Sequence, residues 1–220
     1  MREEEKYIER RYKVLNQIAQ KPDIDERVIE AMKRVPRQCF VDESLAEMAY
    51  HDRPLPIAAG QTISQIYTVA MQTSLLQPQP YELVLEIGTG CGYQTAVLCE
   101  LGSRVYSIER VEELYLAATN NLQKLNYSPT LIYGDGFEGL PNHAPFDAIL
   151  ITCGAPDIPD ALLEQLVVGG RMVAPIGRDI QEMMVIIKTD RGNKIERKGS
   201  YKFVPMLSGK VDTQNNKKNK

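Results

Sequence analysis

The run GQTISQ, residues 60–65, carries two hydroxyls and two side-chain amides around Ile63 and no charge. Hydroxyls at Thr62 and Ser64 can donate to an anionic acceptor, or can cap the helix that the following IYTVAMQTSLL pattern predicts. A second run, VLEIGTGCGYQ at 84–94, sends a hydrophobic strand into Gly88, Thr89, Gly90, Cys91 and Gly92 and then at once into a helix. Glycines at such a turn let backbone approach a ligand and aim helix N–H groups at it. The spacing is GxGxG, not the GxGxxG of dinucleotide-binding turns, and Glu86 lies two residues ahead of the first glycine. A carboxylate there suits a ligand with a positive amino group. Glu109 ends the next strand, RVYSIE, where it can accept from ribose hydroxyls. Asp135, followed by Gly136, ends the third, where a purine amino group can be met.

Three carboxylates at the carboxyl edge of neighbouring strands, with the glycines, make a site for a cationic adenosine compound. S-Adenosyl-L-methionine, leaving as S-adenosyl-L-homocysteine, has that chemistry. The acceptor is narrowed by what is missing. The turn after the fourth strand, ITCGAP at 151–156, lacks the Asn/Asp-Pro-Pro-aromatic run with which amine methyltransferases hold a planar nitrogen. His51 and His143 are too few for a multi-histidine site, so no metal is expected. No Cys–His or Ser–His motif is present to activate a poor nucleophile. An acceptor that is already nucleophilic, such as a carboxylate, fits.

The elements that must position these residues follow from periodicity. Residues 1–20 read as an amphipathic helix, and Asp23 or Asp25 can cap a second, ERVIEAMKRV, with Val28, Ile29, Met32 and Val35 on one stripe. Residues 40–60 read as loop and short turns, and Ser64 precedes a helix closed by QPQP. From Tyr81 the runs ELVLEI, RVYSIE, PTLIYG and FDAILIT alternate with helices, which predicts βαβ units. RMVAPIG, MMVIIKT and SYKFVPM are three further strand candidates, with a hairpin around Asp190-Arg191-Gly192. The expected fold is α/β: a doubly wound, mostly parallel seven-stranded sheet with an antiparallel end. Residues 1–80 form an N-terminal helical extension with the GQTISQ loop, 81–207 the ligand-binding domain, and 208–220 a polar, disordered tail.

Composition sets the outer limits. The 220 residues fit one domain of ordinary size, and 43% hydrophobic residues supply its core. A net charge of -3 argues against a nucleic-acid partner. No apolar run is long enough to span a membrane, and MREEEKYIERR is not a signal peptide. Four cysteines without a CxxC pair read as buried thiols of a reducing compartment, so a cytoplasmic address is expected. A monomer is expected, because no long apolar stripe is left over once the helices pack.

Together these stretches closely resemble the protein-L-isoaspartate (D-aspartate) O-methyltransferases. The matching segments are VPRQCFV (35–41), AYHDRPLPI (49–57), GQTISQ (60–65), VLEIGTGCGYQTAVL (84–98), GDGFEGLPNHAPFDAILIT (134–152), QLVVGGRMVAPIG (165–177) and FVPM (203–206). The resemblance covers roughly residues 25–207, and GQTIS is its most specific part. It implies the Rossmann-like fold of class I S-adenosylmethionine-dependent methyltransferases. It also implies methylation of L-isoaspartyl, and D-aspartyl, residues of damaged proteins, opening repair through a succinimide. By the family pattern Ser64 is the active-site serine, with Thr62 and Ile63 lining the cofactor pocket. Glu86, Gly88, Thr89, Gly90, Glu109, Asp135 and Gly136 fall on cofactor positions. The chain departs from the pattern at Ile66, where proline is usual, at Ala58-Ala59, where a glycine is frequent, near Asp42, where a proline is usual, and at Cys153-Gly154, where alanines are common. These departures keep two alternatives in view: methylation of another carboxylate, and a non-catalytic module that binds cofactor or peptide.

Overall fold

The computed structural model describes residues 4–212. The chain opens with α1 (Glu5–Ile18) and α2 (Glu26–Arg34), which bury Val14, Leu15 and Ile18, and Val28, Ile29 and Met32. Of the two candidate caps it is Asp25 that serves α2, accepting from the Arg27 N–H at 2.8 Å. Short 3-10 turns cover Arg37–Phe40 and Glu43–Met48. A two-residue ribbon follows, β1 (Leu55–Pro56) pairing antiparallel with β2 (Thr62–Ile63), and then α3 (Ile66–Leu76). Alternation then sets in: β3 (Leu83–Ile87), α4 (Tyr93–Glu100), β4 (Arg104–Glu109), α5 (Glu112–Lys124), β5 (Thr130–Tyr133), β6 (Phe146–Ile151), α6 (Asp160–Glu164), β7 (Leu166–Ile176), β8 (Gln181–Thr189) and β9 (Gly192–Tyr201).

The seven-stranded sheet has the order β5-β4-β3-β6-β7-β8-β9. The first five strands pair parallel, and β8 and β9 add antiparallel. Chain order reverses beside β3, and α/β sheets bind ligands at the carboxyl edge of such a switch point. The period of two sorts side chains between the faces: Val84 packs towards Met71 and Leu98, and Leu85 and Ile87 towards Ile149 and Ile151. The N-terminal helices share one buried cluster with α3, α4 and α5, running from Val14 through Ile66 and Tyr93 to Leu122.

One strand lies elsewhere than SYKFVPM suggests. Thr189 pairs with Gly192 across the turn, so the seventh strand begins at once and spans Gly192–Tyr201. That strand is an outer edge, mostly exposed and rich in charge, which removes the apolar alternation that marks inner strands. Residues 203–206 leave the sheet for its carboxyl edge. Residues 208–212, grouped with the tail from sequence, run along that edge, with Val211 bridging Val111. The rest of the tail lies outside the described residues. Among the described residues no helix is long and apolar enough to cross a membrane.

Candidate active site

At the carboxyl edge a cavity opens between the glycine turn and two segments remote from it in sequence. Its wall takes Gln61–Ser64 from the N-terminal ribbon, Ile87–Cys91 from the turn, Glu109–Val111, Gly136, Thr152–Cys153, and Val204–Leu207. Thr62, Ile63, Ser64, Gly88, Thr89, Gly90, Glu109 and Gly136, each singled out from sequence, are thus brought together. Glu86 and Asp135 are not part of that wall.

The turn is built as its glycines require. Gly88, Gly90 and Gly92 have φ of 95°, 58° and 92°, a region that side chains disfavour. A Cβ on Gly88 would stand 2.5 Å from Thr152 Oγ1, and one on Gly136 2.4 Å from Ile87 Cγ2. Both strand ends therefore present bare backbone to the cavity. Glu109 is buried beside them and accepts from the Gly90 N–H and the Val111 N–H, each at 2.9 Å. Burial pushes its carboxyl pKa up, against those two donors.

Glu86 points from β3 into the space under α4, the face opposite Leu85 and Ile87. One oxygen, Oε2, accepts from Thr95 Oγ1 at 2.5 Å and Ser107 Oγ at 2.7 Å, and Ser107 also bonds Thr89 Oγ1 at 2.6 Å. Its other oxygen is buried without a hydrogen-bond partner among the described residues. Burial lifts its pKa to about 7, against the two hydroxyls. Glu86, expected from sequence to meet a ligand amino group, stands here as a buried brace behind Thr89 and outside the cavity wall. Thr95 and Ser107, its partners, carry no sequence signal beyond their place in the period.

Asp135 stands beside the cavity. Its Oδ1 accepts from the Phe137 N–H at 2.9 Å and its Oδ2 from the Gly209 N–H at 2.5 Å. Gly209 belongs to a strap, residues 203–212, that crosses the strand ends. Arg110 donates to the carbonyls of Gly209 at 2.8 Å and Ser208 at 3.2 Å. Gly154 exchanges hydrogen bonds with Val204 and Met206, all at 2.8 Å. Arg110 and the strap's place at this edge are not legible in the sequence, which offers FVPM only as part of a strand and of a family match, because only tertiary structure returns the chain end here.

The GQTISQ segment resolves the two roles open to its hydroxyls. The N-cap of α3 is Gln65, which makes no side-chain cap, and neither Thr62 nor Ser64 caps the helix. Instead Asp52, from the loop before β1, accepts from the Tyr67 N–H at 2.8 Å and from Gln65 Nε2 at 3.1 Å. The Ser64 hydroxyl is half-buried on the cavity wall and makes no hydrogen bond among the described residues. The glycine cradle, the Glu109 acceptor and the apolar walls of Ile87, Ile108 and Leu114 fit an adenosine carrying a short cationic chain.

The sequence profile of the family described as protein-L-isoaspartate (D-aspartate) O-methyltransferase matches residues 9–211. A protein-L-isoaspartate O-methyltransferase of Christiangramia forsetii is 48% identical over 203 residues, 91% of this chain and 95% of that one. Its counterpart from Flavobacterium johnsoniae is 46% identical over 202 residues, again 91% and 95%. Among solved structures, a protein of the same description from Plasmodium falciparum, in complex with S-adenosyl-L-homocysteine, aligns with a TM-score of 0.79 at 23% identity. That alignment covers 90% of this chain and 98% of the other. A match over nearly the whole length, by profile and by relatives near half identity, leaves one assignment: the chain belongs to the protein-L-isoaspartate (D-aspartate) O-methyltransferase family.

Proposed function

We propose that this chain transfers a methyl group from S-adenosyl-L-methionine to the free carboxylate of L-isoaspartyl residues, and of D-aspartyl residues, in damaged proteins and peptides. The observation that carries the reading is an uncommitted serine hydroxyl on the wall of the cavity that holds the glycine turn and Glu109. When bound, the cofactor supplies a methyl on a sulfonium centre; the new O–C bond forms as the C–S bond breaks, releasing S-adenosyl-L-homocysteine. Such a displacement needs alignment and exclusion of water more than proton transfer. Ser64 donates its Oγ–H to one oxygen of the acceptor carboxylate, which aims the other at the methyl. It acts as an orienting group, since no base hydrogen-bonds its oxygen among the described residues. Glu109 accepts from the ribose hydroxyls, with its own carboxylate held by two backbone N–H groups. Gly88, Gly90 and Gly136 supply close backbone, and Thr62 and Ile63 close the side facing the acceptor. Glu86 acts from behind Thr89, and Asp135 from beside Gly136. The ester then cyclises to a succinimide with loss of methanol, and water reopens part of it as normal aspartyl peptide.

Four free thiols support a cytoplasmic address, and we read the protein as a monomer. The decisive assay supplies tritium-labelled S-adenosyl-L-methionine with an isoaspartyl peptide and its normal aspartyl twin. Base-labile label on the isoaspartyl peptide alone is the expected result. Label on neither peptide, from folded protein, would overturn the reading, and label on another carboxylate would redirect it.

A further inference from the structure

The segment that carries Ser64 is anchored by a residue outside it. Ser64 is the single link between β2, which ends at Ile63, and Gln65, the N-cap of α3. Upstream, the ribbon register Leu55↔Ile63 and Pro56↔Thr62 fixes its backbone. Downstream the usual device is absent, because Gln65 does not cap the helix with its own side chain. The first N–H groups of a helix have no partner within it. The ribbon runs antiparallel, so the residues just before Leu55 lie opposite those just after Ile63, and Asp52 meets this end of α3 from there. One of its oxygens takes the Tyr67 N–H and the other the Gln65 side-chain amide. A carboxylate at that end also meets the positive pole of the helix.

We infer that Asp52 is the positioning residue of this methyl transfer: it caps α3 from a distance and thereby leaves the Ser64 hydroxyl free to aim the acceptor carboxylate. The division of labour is specific. Serine is among the best helix caps, yet Ser64, adjacent to the N-cap, is released from that task. Ile66, at the first helical position, supplies no preset helical turn of the kind a proline there would give. Asp52 is therefore the side-chain anchor at this end of α3. Asp52 is exposed, so its removal leaves the core intact.

The inference rests on the orienting role of Ser64, and the test separates the two. Turnover on an isoaspartyl peptide and the Kd of S-adenosyl-L-homocysteine are measured for Ser64→Ala, Asp52→Ala, the double variant and Asp52→Asn. Losing the cap loosens the link that holds Ser64, so Asp52→Ala should lower kcat about three- to tenfold with Kd within about twofold. Asp52→Asn keeps an acceptor for the Tyr67 N–H and should retain kcat within about twofold of the parent. Because Asp52 acts through Ser64, the double variant should be no slower than Ser64→Ala. Amide exchange at Tyr67 should quicken in Asp52→Ala and not in Asp52→Asn. Unchanged kcat in Asp52→Ala, or fully multiplicative losses in the double variant, would overturn the inference while leaving Ser64 its role. If Ser64→Ala itself keeps full kcat, the orienting role fails and the positioning role fails with it, whatever Tyr67 exchange shows about the cap.

Discussion

At the scale of single residues, the site separates groups that face the cavity from groups that hold them. Ser64 faces it with a free hydroxyl, so Ser64→Ala should lower kcat on an isoaspartyl peptide about 10- to 100-fold, the loss of one hydrogen bond to a charged group. Kd for S-adenosyl-L-homocysteine, read by calorimetry, should stay within about twofold. Equal losses in both would make Ser64 a structural residue. Glu86 is the opposite case, and its buried carboxyl gives stability a pH dependence. Its pKa is about 7 in the folded chain against an ordinary 4.5, so between those values the folded state binds more protons than the unfolded one. The stability Glu86 contributes is therefore complete below about 4.5 and is lost as pH rises through about 7. Glu86→Gln cannot titrate and can still accept from Thr95 and Ser107. In urea titrations the difference in stability between parent and variant should shift in the variant's favour from pH 5 to pH 8. A difference independent of pH would mean Glu86 keeps one charge state throughout.

At the scale of elements, the cavity is closed by two segments that do not belong to the βαβ core: the β1–β2 ribbon with α3, and the strap. The strap is latched to the strand ends by Arg110 and by Asp135, at opposite hydrogen-bonding groups of Ser208 and Gly209. Since the strap lines the same wall as the turn, loosening it should weaken cofactor retention. Arg110→Ala removes two hydrogen bonds worth about 1 kcal/mol each, and should raise the Kd of S-adenosyl-L-homocysteine about 5- to 30-fold, mainly through dissociation rate in stopped flow. Unchanged dissociation would show that the strap does not gate the cofactor. Legibility differs between these elements for a physical reason. The strand–glycine–helix unit is local, with period, turn and helix start falling within eleven residues. The charged β9 hides its strand character because an edge needs no apolar alternation, and FVPM mimics a strand because Phe203 packs on the core while Val204, Pro205 and Met206 line the cavity.

At the scale of the whole molecule, the N-terminal segment and the sheet share a core and are clasped at the end away from the cavity. Arg171, from β7, donates to the carbonyls of Leu76 and Gln77 at the end of α3 and makes a half-buried pair with Glu82 at 2.5 Å. Burial alone would raise the Glu82 carboxyl, but Arg171 and the Gln79 N–H hold it below its ordinary value. Arg171→Met leaves two carbonyls and a carboxylate uncompensated and should cost about 2–4 kcal/mol, measured by chemical denaturation at neutral pH. A cost under about 0.5 kcal/mol would show that water replaces the clasp without loss.

The sequence by itself determined the local chemistry: the glycine turn, the acids at the strand ends, and the family with its fold. Those signals are written in neighbouring residues, where backbone conformation and period act over a few positions. Tertiary structure alone decided which acids reach the cavity, because the face of a strand and the height of a turn set that. It put Glu86 behind Thr89 and turned Asp135 towards Gly209. It brought Val204–Leu207 and GQTISQ to one edge across more than 130 residues of chain. It also gave the capping of α3 to Asp52, a partnership thirteen residues from Gln65 and set by a ribbon register that no local pattern announces.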